Sequence, residues 1–203
     1  MANGATIQDL TTTPGLRELT RRLAGVSGFY NEPGSAANVS TTIQNYLKAD
    51  PRLKGVRLQV RPGAQGSYHP NKDLITLGVV NPAVAAHELG HARNMRNSKI
   101  YGRVLQAAQG VTNVNNVAAL PAMLAIRTLI GDQDTRREVL NILSGASAAL
   151  AAPGLVEEMG ASLEAVRNVP DKLQAVKTLI PAFLTHAMHA MKPVMVYQAG
   201  KLI

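Results

Sequence analysis

Apolar positions divide this chain into a mixed first half and a second half in which long stretches carry no charge. Val39, Ile43, Tyr46 and Leu47 fall on one side of a helix, and Ser35 is a residue type that caps one, so a helix is predicted from Ser35 to about Ala49. A short basic helix is expected earlier, over Pro14–Ala24, before a break at Asn31-Glu32-Pro33-Gly34. Val56–Val60 alternates as a half-buried strand, and Leu74–Leu77 reads as a second. Asn81-Pro82 supplies a side chain that accepts from free helix amides, then a proline where the missing amide is no loss. A helix is therefore predicted from Pro82 through Ala83-Val84-Ala85-Ala86 and beyond.

Past Lys99 the pattern becomes helical and apolar. Val104–Ile126 and Val139–Val156 are uncharged, long enough by length to cross a bilayer as a helical hairpin, which takes about 20 apolar residues. Their content argues the other way, for packed soluble helices or an oligomer interface. Gln106, Gln109, Thr112, Asn113, Asn115, Asn116 and Pro121 interrupt the first, and an interfacial aromatic belt is missing apart from Tyr101. Pro153-Gly154 is expected to break the second stretch. The last segment, Lys172–Tyr197, is apolar over a wide face, and Pro181 and Pro193 should kink or break it. A partner surface is one reading of it. His186 and His189 within it are read as a core or interface feature ahead of metal ligands.

The most specific chemistry lies in the helix begun at Pro82. His87-Glu88-Leu89-Gly90-His91 places two imidazoles four residues apart, hence on one helix face, with a carboxylate after the first. Two such rings can grip one Zn²⁺ while Glu88 takes a proton from the water that the ion activates, the arrangement of metal-assisted hydrolysis. A third histidine six residues on is not present, since Asn94 and Asn97 stand at the glycine and histidine positions of the extended pattern. The third ligand is then a distant carboxylate. Glu157-Glu158, followed by the small residues Gly160, Ala161 and Ala165, is the best segment for it, because small residues let two helices lie close. Either glutamate serves at this point, the alternative for both being an acid at a helix N-terminus.

Several segments together resemble the YugP-type neutral zinc metallopeptidases. Ala83–Ala92 reads AVAAHELGHA and is similar to their motif helix, AVAAHE-x-GHA. Gly66–Leu77 resembles their histidine, tyrosine and proline segment leading into a strand, and Glu158-Met159-Gly160-Ala161-Ser162 resembles their E-x-x-A-S element. The resemblance implies one zinc ion on His87, His91 and Glu158, and so favours Glu158 over Glu157. It also implies a serine, here Ser162, where many related sites brace a ligand histidine with aspartate. Members of that family usually span membranes between the second histidine and the glutamate, where this chain has a shorter, weakly apolar version.

Further roles follow by position. Tyr68 or His69 is expected to stabilise the transition state, with a structural role as the alternative for each, and Asn94 to stand behind the metal ligands. In zinc peptidases with this helix a strand just ahead of it commonly offers an open edge, so Leu74–Leu77 or its neighbour is expected to pair with an extended peptide substrate.

Composition narrows the remaining choices. With no cysteine, a zinc ion must be held by nitrogen and oxygen. Lys and Arg number 21 against 13 Asp and Glu, a net charge of +8, with Arg17, Arg21 and Arg22 in one cluster and Arg52, Lys54, Arg57 and Arg61 in another. Only seven aromatic residues accompany them, 5 Tyr and 2 Phe, so nucleic acid is disfavoured as a partner against a solvated basic surface. Met1–Thr13 has no apolar core, and no secretory signal is expected.

The predicted architecture is α+β and mostly helical: a zincin-like core with a small β-sheet next to the motif helix, followed by apolar helices. Its expected parts are a basic helical extension (residues 1–33), a metallopeptidase core (34–168) that includes an apolar hairpin at about 104–156, and an apolar C-terminal segment (169–203). Zinc-dependent hydrolysis of peptide or protein substrates is the expected function. The alternative is a non-enzymatic helical assembly, a pore or a virion or membrane-complex component, joined to a membrane or to other copies through its apolar helices.

Overall fold

A computed structural model describes residues 35–61, 66–78 and 81–202. The basic helix expected over Pro14–Ala24, its arginines and the break at Asn31–Gly34 lie outside the described residues. The fold is α+β and mostly helical, with one small sheet. The chain forms two compact units, Met1–Lys99 with Glu158–Pro181, and Ile100–Glu157 with Ala182–Ile203.

In the first unit, helix α1 spans Ser35–Ala49. Its predicted apolar side, Val39, Ile43, Tyr46 and Leu47, is buried. A 3-10 turn, Pro51–Gly55, follows and is capped by Asp50, whose carboxylate accepts from the Arg52 amide (3.1 Å) and from its guanidinium (2.8 and 2.7 Å). Three strands come next: β1 (Arg57–Val60), β2 (Ser67–His69) and β3 (Leu74–Leu77). Their order is β1-β3-β2, with β1 parallel and β2 antiparallel to β3. Between β2 and β3 the chain turns through Pro70–Lys72 and reverses at Asp73, which adopts the left-handed conformation (φ 49°, ψ 48°) that aspartate tolerates better than most residues.

This strand order narrows one expectation, that Leu74–Leu77 or its neighbour offers an open edge. Leu74–Leu77 is the central strand, hydrogen-bonded on both sides, so it has no edge to offer a peptide. Among the described residues β1 and β2 each pair with β3 alone, so a free edge belongs to its neighbours.

Helix α2 (Pro82–Asn97) carries the motif. Its start follows the predicted cap: Asn81 Oδ1 accepts from the amides of Ala83 (2.8 Å) and Val84 (3.3 Å), ahead of Pro82. Ala83, Ala85, Ala86, Leu89 and Ala92 join α1, the sheet and Leu53 in one apolar core. Three longer helices complete the chain: α3 (Lys99–Leu129), α4 (Gln133–Asn168) and α5 (Lys172–Gly200).

Prolines did not end these helices as expected. Pro153 lies inside α4, and Pro181 and Pro193 lie within the span of α5. A proline removes one amide donor and crowds the preceding turn, a cost of about 3 kcal/mol. Buried residues lie on both sides of Pro153, Ser147 and Ala151 before it and Glu157 after it.

In the second unit, Ala119, Met123, Leu140 and Tyr197 form a small core. Polar groups bridge its helices: Asn115 Nδ2 donates to Ser147 Oγ (2.8 Å), Gln198 Nε2 to Ser144 Oγ (2.7 Å), and Tyr197 OH to Asn115 Oδ1 (3.4 Å). Large apolar side chains face outwards instead, Val117 being 80% exposed and Val114 69%.

Asp50 gives a test of the first unit. Its carboxylate is buried, and the hydrogen bond from Arg52 holds its pKa below the usual carboxylate value despite burial. Asp50→Ala should lower stability in chemical denaturation by about 1–3 kcal/mol. Because the folded-state pKa is depressed, the ionic part of this stability is present above about pH 4 and is lost as pH falls through the folded value, so wild type and variant should converge in acid.

Candidate metal centre

The site is built on α2 and approached by α4. Residues 87 and 91 are one turn apart on α2, which stacks their rings edge to face with centroids 4.4 Å apart. Their Nε2 atoms converge to 2.9 Å. Glu158 of α4 brings Oε2 to 3.3 Å from His87 Nε2 and 3.7 Å from His91 Nε2. The three side chains are 11–15% exposed, largely shielded yet open to a small ligand.

Close helix contact makes this approach available. A Cβ placed on Gly90 would lie 3.2 Å from Ala161 Cα and 3.3 Å from its carbonyl oxygen, so the two backbones touch where a side chain is absent. Ala161 and Ala165 are fully buried, as the small-residue pattern predicted. One turn on from Gly90, Arg93 donates to Glu164 of α4 (2.5 Å) and reaches Asp50 (3.4 Å), a second tie between the two helices.

Ser162, one turn beyond Glu158, places Oγ 3.2 Å from His87 Nδ1. With Nδ1–H donated to that hydroxyl, His87 presents a bare Nε2 lone pair towards His91 and Glu158. The donor set fits zinc. Ligands at about 2.0–2.1 Å from a tetrahedral ion are about 3.3 Å apart, and the three separations here, 2.9, 3.3 and 3.7 Å, bracket that value. All three candidate donor atoms lie within 4.8 Å of one another.

The other sequence candidates fall in different places. Glu157 is buried at 3% exposure and belongs to the second unit, and neither it nor Glu158 is at a helix start, because α4 begins at Gln133. The helix N-terminal alternative is thereby removed for both. Glu88 is buried on α2 and packs beside Gly66. Asn94 faces Gly160 of α4, its Nδ2 being 3.9 Å from where a Cβ would stand.

Tyr68 donates its hydroxyl to Asp73 (2.9 Å), and burial, then this bond, raises its pKa. Asp73 is in turn held by Arg96, whose Nε donates to Oδ1 at 3.1 Å. His69 is exposed, with Nε2 3.1 Å from Ser67 Oγ. The partners in these hydrogen bonds, Asp73 and Ser67, lie outside the histidine and glutamate cluster. Sequence reasoning missed Arg93, Arg96 and Gly66. A charge at the end of a helix, or a glycine before a strand, carries no signal of its partner.

No protein-family model matches the chain, and neither the curated proteins nor the solved structures contain a match.

The geometry separates the two adjacent glutamates. Glu158→Ala should weaken zinc binding in competition with a chelating dye by at least about a hundredfold, the upper end of the effect of losing an outer partner. Glu157→Ala should leave the affinity within about twofold of wild type by the same measure.

Proposed function

We propose that this protein is a zinc metallopeptidase with a zincin-like core in its first unit. The observation that carries this reading is the convergence of two imidazole nitrogens and one carboxylate oxygen at the spacing of a tetrahedral ion's ligands. The three-stranded sheet beside α2 and the resemblance of Ala83–Ala92 and Glu158–Ser162 to YugP-type peptidases support it.

A zinc ion bound here would polarise a water molecule and the scissile carbonyl. The chain's own groups supply the rest. His87 and His91 hold their lone pairs in place, the first through Ser162, and Glu158 contributes the negative charge that offsets part of a dication. Glu88 accepts a proton as water oxygen bonds to the carbonyl carbon. It returns that proton to the amine nitrogen as the C–N bond breaks. The free edge of β2 is the place for an extended substrate backbone.

The second unit is read as the part that meets a lipid bilayer. Its distribution is inverted relative to a water-soluble bundle, with Asn115, Ser144, Ser147 and Gln198 bonded across the helices and valines and leucines outside. An 18-residue window of α4 has a mean hydropathy of 1.6, and only 22% of it is buried. The uncharged stretch of α3, Val104–Ile126, is flanked by Arg103 and Arg127, and that of α4 is preceded by Arg136 and Arg137. The α3 stretch has a cation at each end, that of α4 has cations at its start and Glu157-Glu158 at its close, and neither carries a charge within, which suits an anionic surface over an apolar interior at the arginine ends. Interior prolines are also better tolerated in membrane helices than in soluble ones.

Two measurements test these readings. The purified protein should hold about one zinc, lost in His87→Ala and His91→Ala, whereas Glu88→Gln should keep it and cleave a peptide library at least about a hundredfold more slowly. Undiminished turnover by Glu88→Gln would remove the proposed base. For the second unit, wild type should stay with the membrane pellet after an alkaline carbonate wash. Val114→Arg with Val117→Arg, each costing about 2.5–3.5 kcal/mol at mid-bilayer, should release it. A wild-type protein that is soluble without detergent, as monomer or as a stable oligomer, would refute the bilayer.

A further inference from the structure

Gly66, the residue before β2, occupies a place with no room for a side chain. A Cβ built there would be 2.7 Å from Val84 Cγ1, 3.1 Å from Glu88 Oε1 and 3.8 Å from Glu88 Cδ. Val84, Glu88 and His91 are spaced four and three residues apart, so they form one row along α2, and Gly66 lies over its first two members. The first contact is too short for any real pair of atoms. Val84 cannot yield easily, because a β-branched side chain in a helix has one strongly preferred rotamer. Glu88 is the flexible neighbour, with three torsions, and it is buried.

We propose that Gly66 is a positioning residue for Glu88: the space left by its missing side chain fixes where the Glu88 carboxylate stands, independently of the His87, His91 and Glu158 cluster. This rests on the reading of Glu88 as the general base. Helix geometry sets the direction in which that side chain leaves the backbone, and the backbone at Gly66 sets how far it can swing. A methyl at this position pushes the carboxylate out of its place, while the three atoms nearest to that methyl belong to Val84 and Glu88 and none to the three candidate ligands.

The test compares wild type, Gly66→Ala, Val84→Ala and the double variant. Val84→Ala removes the Cγ1 atom involved in the severe overlap, so the double variant retains only the contact with Glu88 and folds even where Gly66→Ala does not. In both variants with alanine at position 66, zinc content should stay at about one per chain, kcat should fall by at least about tenfold, and KM should remain within about twofold. NMR of isotope-labelled glutamate carboxyls in metal-free protein gives a readout that does not depend on turnover. The Glu88 resonance, assigned by its loss in Glu88→Gln, should move in the double variant relative to Val84→Ala.

Wild-type kcat in the double variant, or an unmoved Glu88 resonance, overturns the inference and leaves the peptidase reading intact, since the methyl would then only have packed against Val84. Absence of turnover in zinc-loaded wild type, or full turnover in Glu88→Gln, overturns the peptidase reading, and the inference falls with it.

Discussion

The candidate centre depends on one close approach, between Gly90 of α2 and Ala161 of α4. Two histidines on one helix face can supply only two donors to an ion. A third has to come from another element, at a distance set by how near that element's backbone can lie. Here the glycine removes the side chain that would hold the helices apart, and Glu158, three residues before Ala161, reaches both Nε2 atoms. Ser162, directly after Ala161, reaches the other nitrogen of His87. One steric fact thus places both a candidate ligand and the hydroxyl that orients its neighbour.

Ion pairs fix the motif helix from its other end. Arg93 joins Asp50 and Glu164, and Arg96 joins Asp73 and the carbonyl of Arg52, so the cap of the 3-10 turn, the turn before β3 and α4 are all tied to the last two turns of α2. Their carboxylates are half-buried or buried, where ionic hydrogen bonds are screened less than on an open surface. Tyr68 belongs to this scaffold through Asp73.

The two units distribute similar residues differently. In the first, alanines, leucines and valines turn inwards on a common core and the basic residues Arg57 and Arg61 face out. In the second, polar groups meet between helices beside a small core of Ala119, Met123, Leu140 and Tyr197, and many of the larger apolar groups point away. Alanine and glycine serve both, as close contact in one and as narrow helix surface in the other. α4 and α5 contribute residues to each unit, and their interior prolines interrupt neither.

Local physics determined much of this in the sequence. The apolar side of α1, the Asn81 cap with Pro82, the strand at Leu74–Leu77 and the pairing of His87 with His91 on one face all depend on residues within a few positions of each other, and all are found as read. Only tertiary structure decided the rest. That β3 is central, that α4 runs through Pro153, that Tyr68 answers to Asp73 and that Gly66 lies beside Glu88 are facts about how the chain packs in three dimensions. Periodicity tells which face of an element is apolar. It does not say what covers that face, because the covering element is chosen by the fit of the whole fold.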